Sequence, residues 1–433
     1  MPGGTAISTE NLPPGRAAPL LPIPGAVRTL LISLIAIVVL IVVYVVAIYA
    51  GPVSSGALLL MVPPRATAVD HRVPSTYEPL HKGGVHAGVG LYTREDEDLI
   101  VPDAVPLVLR RTYLSGDHVS RQFGVGGTHP GEWYLIGDSA AFQWAELILA
   151  NGGRIHFDRV TSGTSFADAL FEHRNTPGSF FGSKLGWVGL EWALRFADGS
   201  LALFQGCGGE NGNTCSLMET RDADGHRVRY VRDRSGLLLK IQGPTREIAF
   251  DYDARRRIVR AYDSPTHGVR YSYDDGGRVA RVVASDGTIR AYTYNARDEM
   301  LTIDEPGWVI KNTFDDAGRV IGQVTQLSDS EDPVTFQFAY TVADGLVTQT
   351  DMTRDGKRTR YTYNSKHYEL SQLIDADGPN PISVTFERSA ATNLISALTV
   401  RCIGPDGHVI RNVPARSGTE DYIAGELIRQ ECR

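Results

Sequence analysis

At 433 residues, 21% charged and 42% hydrophobic, the chain can bury a sizeable core and has room for two or three domains, which excludes disorder throughout. Forty-five glycines and 23 prolines without a G-X-Y period exclude collagen and demand many turns between short strands. A net charge of −7 leaves no basic stripe to neutralise phosphates, so nucleic-acid binding has no electrostatic support, and four cysteines are too few for a disulfide-built mini-protein.

Residues 1–28 form a Pro-rich leader. Thr29 to Ala50 then reads TLLISLIAIVVLIVVYVVAIYA, without a charge. At ~1.5 Å per residue a helix of this length spans roughly 33 Å, against a hydrocarbon core of ~30 Å. The expectation is one uncleaved transmembrane helix at 29–50; a cleaved signal peptide is the alternative, with Ala66-Thr67-Ala68 as a downstream small-residue site. Arg16, Arg28 and the amino terminus favour that end inside, so the bulk of the chain is expected outside the cytoplasm, periplasmic or at the cell surface. Residues 51–82, with Pro63-Pro64 and Pro74, read as a semi-extended tether.

Residues 83–220 alternate short apolar runs with turn signals, as in Leu107-Val108-Leu109, Trp133-Tyr134-Leu135 and Asn151-Gly152. Trp133, Trp144, Trp187 and Trp192 fall here and are expected to fill the core of a non-repeating β domain. From 221 to 395 a period takes over. The second aromatic of a Tyr-x-Tyr-Asp-like string recurs at Tyr252, Tyr273, Tyr294, Phe314, Tyr340 and Tyr363, at gaps of 21, 21, 20, 26 and 23 residues. Degenerate copies at Tyr230 and Phe386 bring the series to about eight. Such a unit holds two short strands and two turns, so each repeat is a β-hairpin. Asp-Gly pairs at 224, 286, 355 and 377 mark one turn; Gly277-Arg278 and Gly318-Arg319 close the other. Hairpins laid edge to edge put the equivalent aromatics on one face, as a ladder of anchors. Residues 396–433 form an extension of unknown role. The fold class is therefore mainly β, an anchored β domain followed by hairpins in a curved or spiralling sheet that makes a partial shell.

YSYDDGGRVARVVASDGT and NTFDDAGRVIGQV resemble the YD repeats of Rhs and related polymorphic-toxin proteins. GVGLYTREDEDLIVP, LVLRRTYLSGD and FGVGGTHPGEW resemble the domain that precedes those repeats, usually F-G-x-G-W-[ST]-H; here Gly127 replaces the Trp, while Thr128 and His129 fit. The resemblance covers roughly 84–395 and implies a β-sheet spiralling into a hollow shell around a toxin. The DPxGxxGG-type string of toxin-releasing members is absent, and only 47 residues follow Phe386, so the chain reads as a short or truncated member.

Cys207 and Cys215 flank a turn-rich loop and are expected to form a disulfide, with zinc as the alternative; Cys402 with Cys432 is a possible second bridge. The acidic run Glu95 to Asp98 lacks the spacing of a calcium loop and reads as a solvated turn. His81 and His86 read as surface histidines, and Gly124-Val125-Gly126-Gly127 as a cluster of turns. No catalytic constellation, cofactor site or metal site emerges. The expected role is a membrane-anchored, non-enzymatic scaffold linked to toxin delivery or intercellular competition. Its expected partners are the membrane and a secretion apparatus, toxin or immunity protein. A glycan- or cell-surface-binding protein is the second reading.

Overall fold

A computed structural model describes residues 84–138, 140–174, 178–205, 214–330 and 332–402, and the backbone of a strand at Val409–Asn412. All of these belong to the unit Gly56–Arg433. The expected β class holds, and the expected open sheet does not.

The first described strands are β1 (Val85–His86), β2 (Leu91–Val101), β3 (Leu107–Leu114), β4 (Ser120–Arg121), β5 (Gly124–Val125) and β6 (Gly127–Thr128). They form a sheet of order β1-β2-β3-β6 beside the two-stranded β4-β5 pair. Eight strands follow: β7 (Tyr134–Gly137), β8 (Trp144–Ile148), β9 (Arg154–Arg159), β10 (Leu170–Glu172), β11 (Lys184–Val188), β12 (Glu191–Arg195), β13 (Leu201–Gln205) and β14 (Cys215–Arg221). Each pairs antiparallel with the next, and β14 also pairs with β7 through Cys215↔Leu135 and Ser216↔Tyr134. That last pairing closes a barrel among the described residues. Its lumen is filled by an apolar core that includes Leu135, Phe157, Phe171, Trp192, Phe204 and Leu217.

Closure and continuation are both built into β14. A register shift opposite Leu203/Phe204 divides it; Cys215–Ser216 close the barrel, while Glu219–Arg221 pair with Arg227–Arg229 of the next strand. From there antiparallel hairpins run on to Val409–Asn412, every strand pairing with its sequence neighbour. The expected partial shell is thus corrected to a closed barrel from which the repeat sheet departs. Turn spacing shows hairpins but carries no mark of which distant strand closes the ring.

The transmembrane helix and the single-pass placement are corrected as well. Among the described residues no helix is long and apolar enough to cross a membrane. Apolar residues there alternate at a period of two and so form strands, while the run 29–50 lies outside the described residues.

Candidate functional site: the docking face of the repeat sheet

Three repeats share one local fold. Asp253, Asp274 and Asp315 sit at the turn after the second aromatic and accept, on Oδ1, the backbone N–H of the Arg four residues on, each at 2.9 Å. Their Oδ2 atoms accept from Nε of Arg257, Arg278 and Arg319 at 2.8 to 2.9 Å. Held in this way, each guanidinium lies over the aromatic of a later repeat: Arg257 over Tyr273 at 4.1 Å, Arg278 over Tyr294 at 4.9 Å and Arg319 over Tyr340 at 5.2 Å. The ladder therefore alternates rings with guanidiniums.

The tyrosine hydroxyls complete the unit. Those of Tyr273, Tyr294 and Tyr340 donate to the carbonyls of Ile258, Val279 and Val320 at 2.6, 2.8 and 2.6 Å, and that of Tyr252 donates to Leu238. Each acceptor belongs to the preceding hairpin, next to its turn, so these four tyrosines each tie their repeat to the one before it. Phe314 has no hydroxyl. The carbonyl it would reach, Met300, instead accepts Asn312 Nδ2 at 3.0 Å. Tyr363, 7% exposed, packs with Ala87, Val347 and Tyr361.

A bulge at each aromatic aligns Tyr252 with Ile258, Tyr273 with Val279, Tyr294 with Met300 and Phe314 with Val320. Three of these opposing residues send their amides out of the sheet to the chain's own first segment. Ile258 N–H donates to Gln122 O at 2.7 Å, Met300 N–H to Tyr113 Oη at 3.0 Å and Val320 N–H to Gly90 O at 2.9 Å. The glycine cluster belongs to the same seam: Gly124 bridges Arg278, and Val125 N–H donates to Gly277 O at 3.1 Å. A Cβ on Gly124 would meet Gly277 O at 2.1 Å, and its φ is +76°, so only glycine fits this approach.

Behind the seam, the β2–β3 hairpin packs on the apolar face of the repeats. Tyr92, Leu99, Val101, Leu107 and Leu109 share one buried core with Ile248, Tyr271, Val282, Tyr292, Ile303 and Ile310. Within it lies an ionic cluster. Arg111, 1% exposed, donates from Nε to Asp98 at 2.8 Å and from Nη2 to Asp96 and to Tyr292 Oη, both at 2.9 Å. Arg290, from the repeats, reaches Asp98 at 2.5 Å, and the hydroxyls of Tyr271 and Tyr292 donate to Asp98 and Asp96, each at 3.0 Å. Arg94 joins Asp96 at 2.7 Å to Glu305 at 2.9 Å. Burial alone would raise the Asp96 pKa, but the guanidiniums of Arg111, Arg94 and Arg290 outweigh it and hold the carboxyl well below its ordinary range.

Two sequence expectations fail at this point. Asp96 and Asp98 are buried strand residues, not a solvated turn, because alternation along β2 points both toward the repeats. His86 is 7% exposed, and burial together with His367 lowers its pKa to about 3. His81 lies outside the described residues. Of the four cysteines, Cys215 and Cys402 are disulfide-bonded, and Cys207 and Cys432 lie outside the described residues. Three acid or histidine ligands, Asp222, Asp224 and His226, come together at an exposed turn.

Residues 83–157 match a family described as Domain of unknown function (DUF6531). This span contributes both strands of the docking hairpin, the first two of the barrel and most of the third. No curated protein matches the chain. Among solved structures, the chain is similar to the Photorhabdus luminescens Tc holotoxin pore carrying the TccC3-D651A mutation, at 12% identity and a TM-score of 0.36, over 62% of this chain and 16% of that one. A TcdB2-TccC3 crystal structure matches at 12% identity and a TM-score of 0.30, over 73% of this chain and 20% of that one. The chain thus spans a fifth or less of the length of these proteins.

Proposed function

We propose that the chain is a non-enzymatic scaffold of the Rhs/YD-repeat kind that serves a toxin complex, with its DUF6531-like segment setting the path of the repeat sheet. The reading rests on one observation: the bulge amides of three repeats, at Ile258, Met300 and Val320, are satisfied by a single segment, which then buries the ionic cluster of Asp96, Asp98, Arg111 and Arg290 against them. A segment placed in this way templates the sheet as it grows. The match to DUF6531 falls on the same segment that resembles the opening domain of Rhs proteins, which supports the reading.

The test uses a bacterial strain carrying the intact gene. An in-frame deletion should reduce killing of a competitor strain, and the wild-type chain should restore it. Expression of the full chain alone should leave host growth unchanged. Growth arrest by the chain alone would point to an enzyme, and a deletion without effect on competition would remove the toxin link.

A further inference from the structure

Where the barrel meets the first repeats, a cleft of about 570 Å3 is lined by four arginines, Arg121, Arg232, Arg255 and Arg256. Elsewhere arginines on the described chain commonly pair with carboxylates, as at Asp253–Arg257, Asp274–Arg278 and Asp315–Arg319. Arg121 does so with Asp117. Arg232, Arg255 and Arg256 have no carboxylate at ion-pair distance among the described residues. Arg232 donates to the carbonyls of Gly236, at 3.0 Å, and Gly131, and its Nε is buried without a partner. Burial pushes its pKa down, outweighing the opposing pull of the nearby Glu132, which sits beyond ion-pair distance.

Arg256 adds an independent sign. In the neighbouring repeats its turn position is Gly236, Gly277 and Gly318, all with positive φ, yet Arg256 adopts φ +63°. That conformation is strained for a side-chain-bearing residue, and such strain points to function when the side chain is put to use. Two other repeats also lack the glycine, and there the replacement docks: Asp298 contacts His118 at 3.0 Å and Arg278 at 3.1 Å, and His367 contacts Gly88 O at 3.0 Å. Among the described residues, the Arg256 side chain hydrogen-bonds Ser235 Oγ, at 2.6 Å, on the cleft wall.

We infer that this cleft binds a tetrahedral oxyanion, the phosphate or sulfate group of a ligand, between Arg232, Arg255 and Arg256. Several guanidiniums and neighbouring hydroxyls suit an anion with more oxygens than one carboxylate. Glu132, the acid in the lining, is raised in pKa by burial against the pull of Arg121 and Arg232, and its Oε2 is buried without a partner.

The test is isothermal titration of the full chain with sodium sulfate and sodium phosphate against sodium chloride at equal ionic strength. Saturable binding should weaken at least tenfold in R255A/R256A and stay unchanged in R281A, an exposed arginine outside the cleft. Arg256→Gly supplies the second readout, because it restores the turn residue of the other repeats. It should raise the melting temperature in chloride while weakening sulfate binding several-fold. Sulfate preferred over phosphate, or the reverse, would identify the group. Equal heats in all variants, or no saturable binding, would overturn the inference.

Discussion

Arg111→Met is the sharpest perturbation of the docking face. Arg111 makes three buried polar bonds, at 2.8 and 2.9 Å to the carboxylates of Asp98 and Asp96, whose side chains are 0% and 3% exposed, and at 2.9 Å to Tyr292 Oη. Removing one partner of a buried ion pair costs about 3–5 kcal/mol. Here Arg94 still holds Asp96 and Arg290 still holds Asp98, so the cost should fall near the lower end, about 3 kcal/mol. The matched control is Arg110→Met on the opposite side of β3, whose pair with Glu97 at 2.7 Å has side chains 44% and 47% exposed. That pair should contribute about 0–1 kcal/mol. Urea unfolding of both variants, followed by tryptophan fluorescence, measures the difference. The sign with pH is also fixed. A carboxyl whose folded pKa is depressed contributes stability above its unfolded pKa, about 4, and loses it as pH falls through the folded value. Since Arg111 helps to depress Asp96, the deficit of R111M should be full at pH 7 and shrink as pH falls below about 4. Equal costs for R111M and R110M, or a deficit that grows in acid, would refute the buried-clamp reasoning.

Other outcomes follow from the same geometry. Tyr294→Phe should destabilise by about 1 kcal/mol through loss of its bond to Val279 O, whereas Tyr262→Phe, whose contact to Asp251 is 3.5 Å and exposed, should change little; parallel urea curves compare them. Gly124→Ala should loosen the seam and expose residues 115–130 to limited proteolysis, while Gly287→Ala, with φ +88° and open space at the Cβ, should cost only about 1 kcal/mol. Non-reducing peptide mapping should recover Cys207 linked to Cys215; a Cys207–Cys402 peptide instead would overturn that pairing.

The repeats were legible because their signals recur in phase: the aromatic pair, the Asp that receives the Arg, and the turn glycine each return about every 21 residues, and one local geometry satisfies all three. The docking role was not legible. Four consecutive acids at 95–98 read as a water-facing stretch when their partners, Tyr271, Arg290 and Tyr292, lie more than 170 residues away. A signal was nevertheless present, since the alternation in Asp96-Glu97-Asp98 facing Arg110-Arg111 fits a hairpin with one buried ionic face. Barrel closure by β14 left no local trace, because it depends on two residue pairs across some 80 positions of sequence. The bulge amides follow the same logic: the aromatic at each bulge is visible in the sequence, but the acceptor that its opposing amide finds is not.

The central claim is that the first segment ties the repeats through those amides. Residue-resolved hydrogen exchange of the full chain measures this directly. The amides of Ile258, Met300 and Val320 should be protected in the wild type and lose protection together in R111M, while strand amides inside the barrel stay protected. Rapid exchange at all three positions in the wild type, or exchange that R111M leaves untouched, would contradict the account.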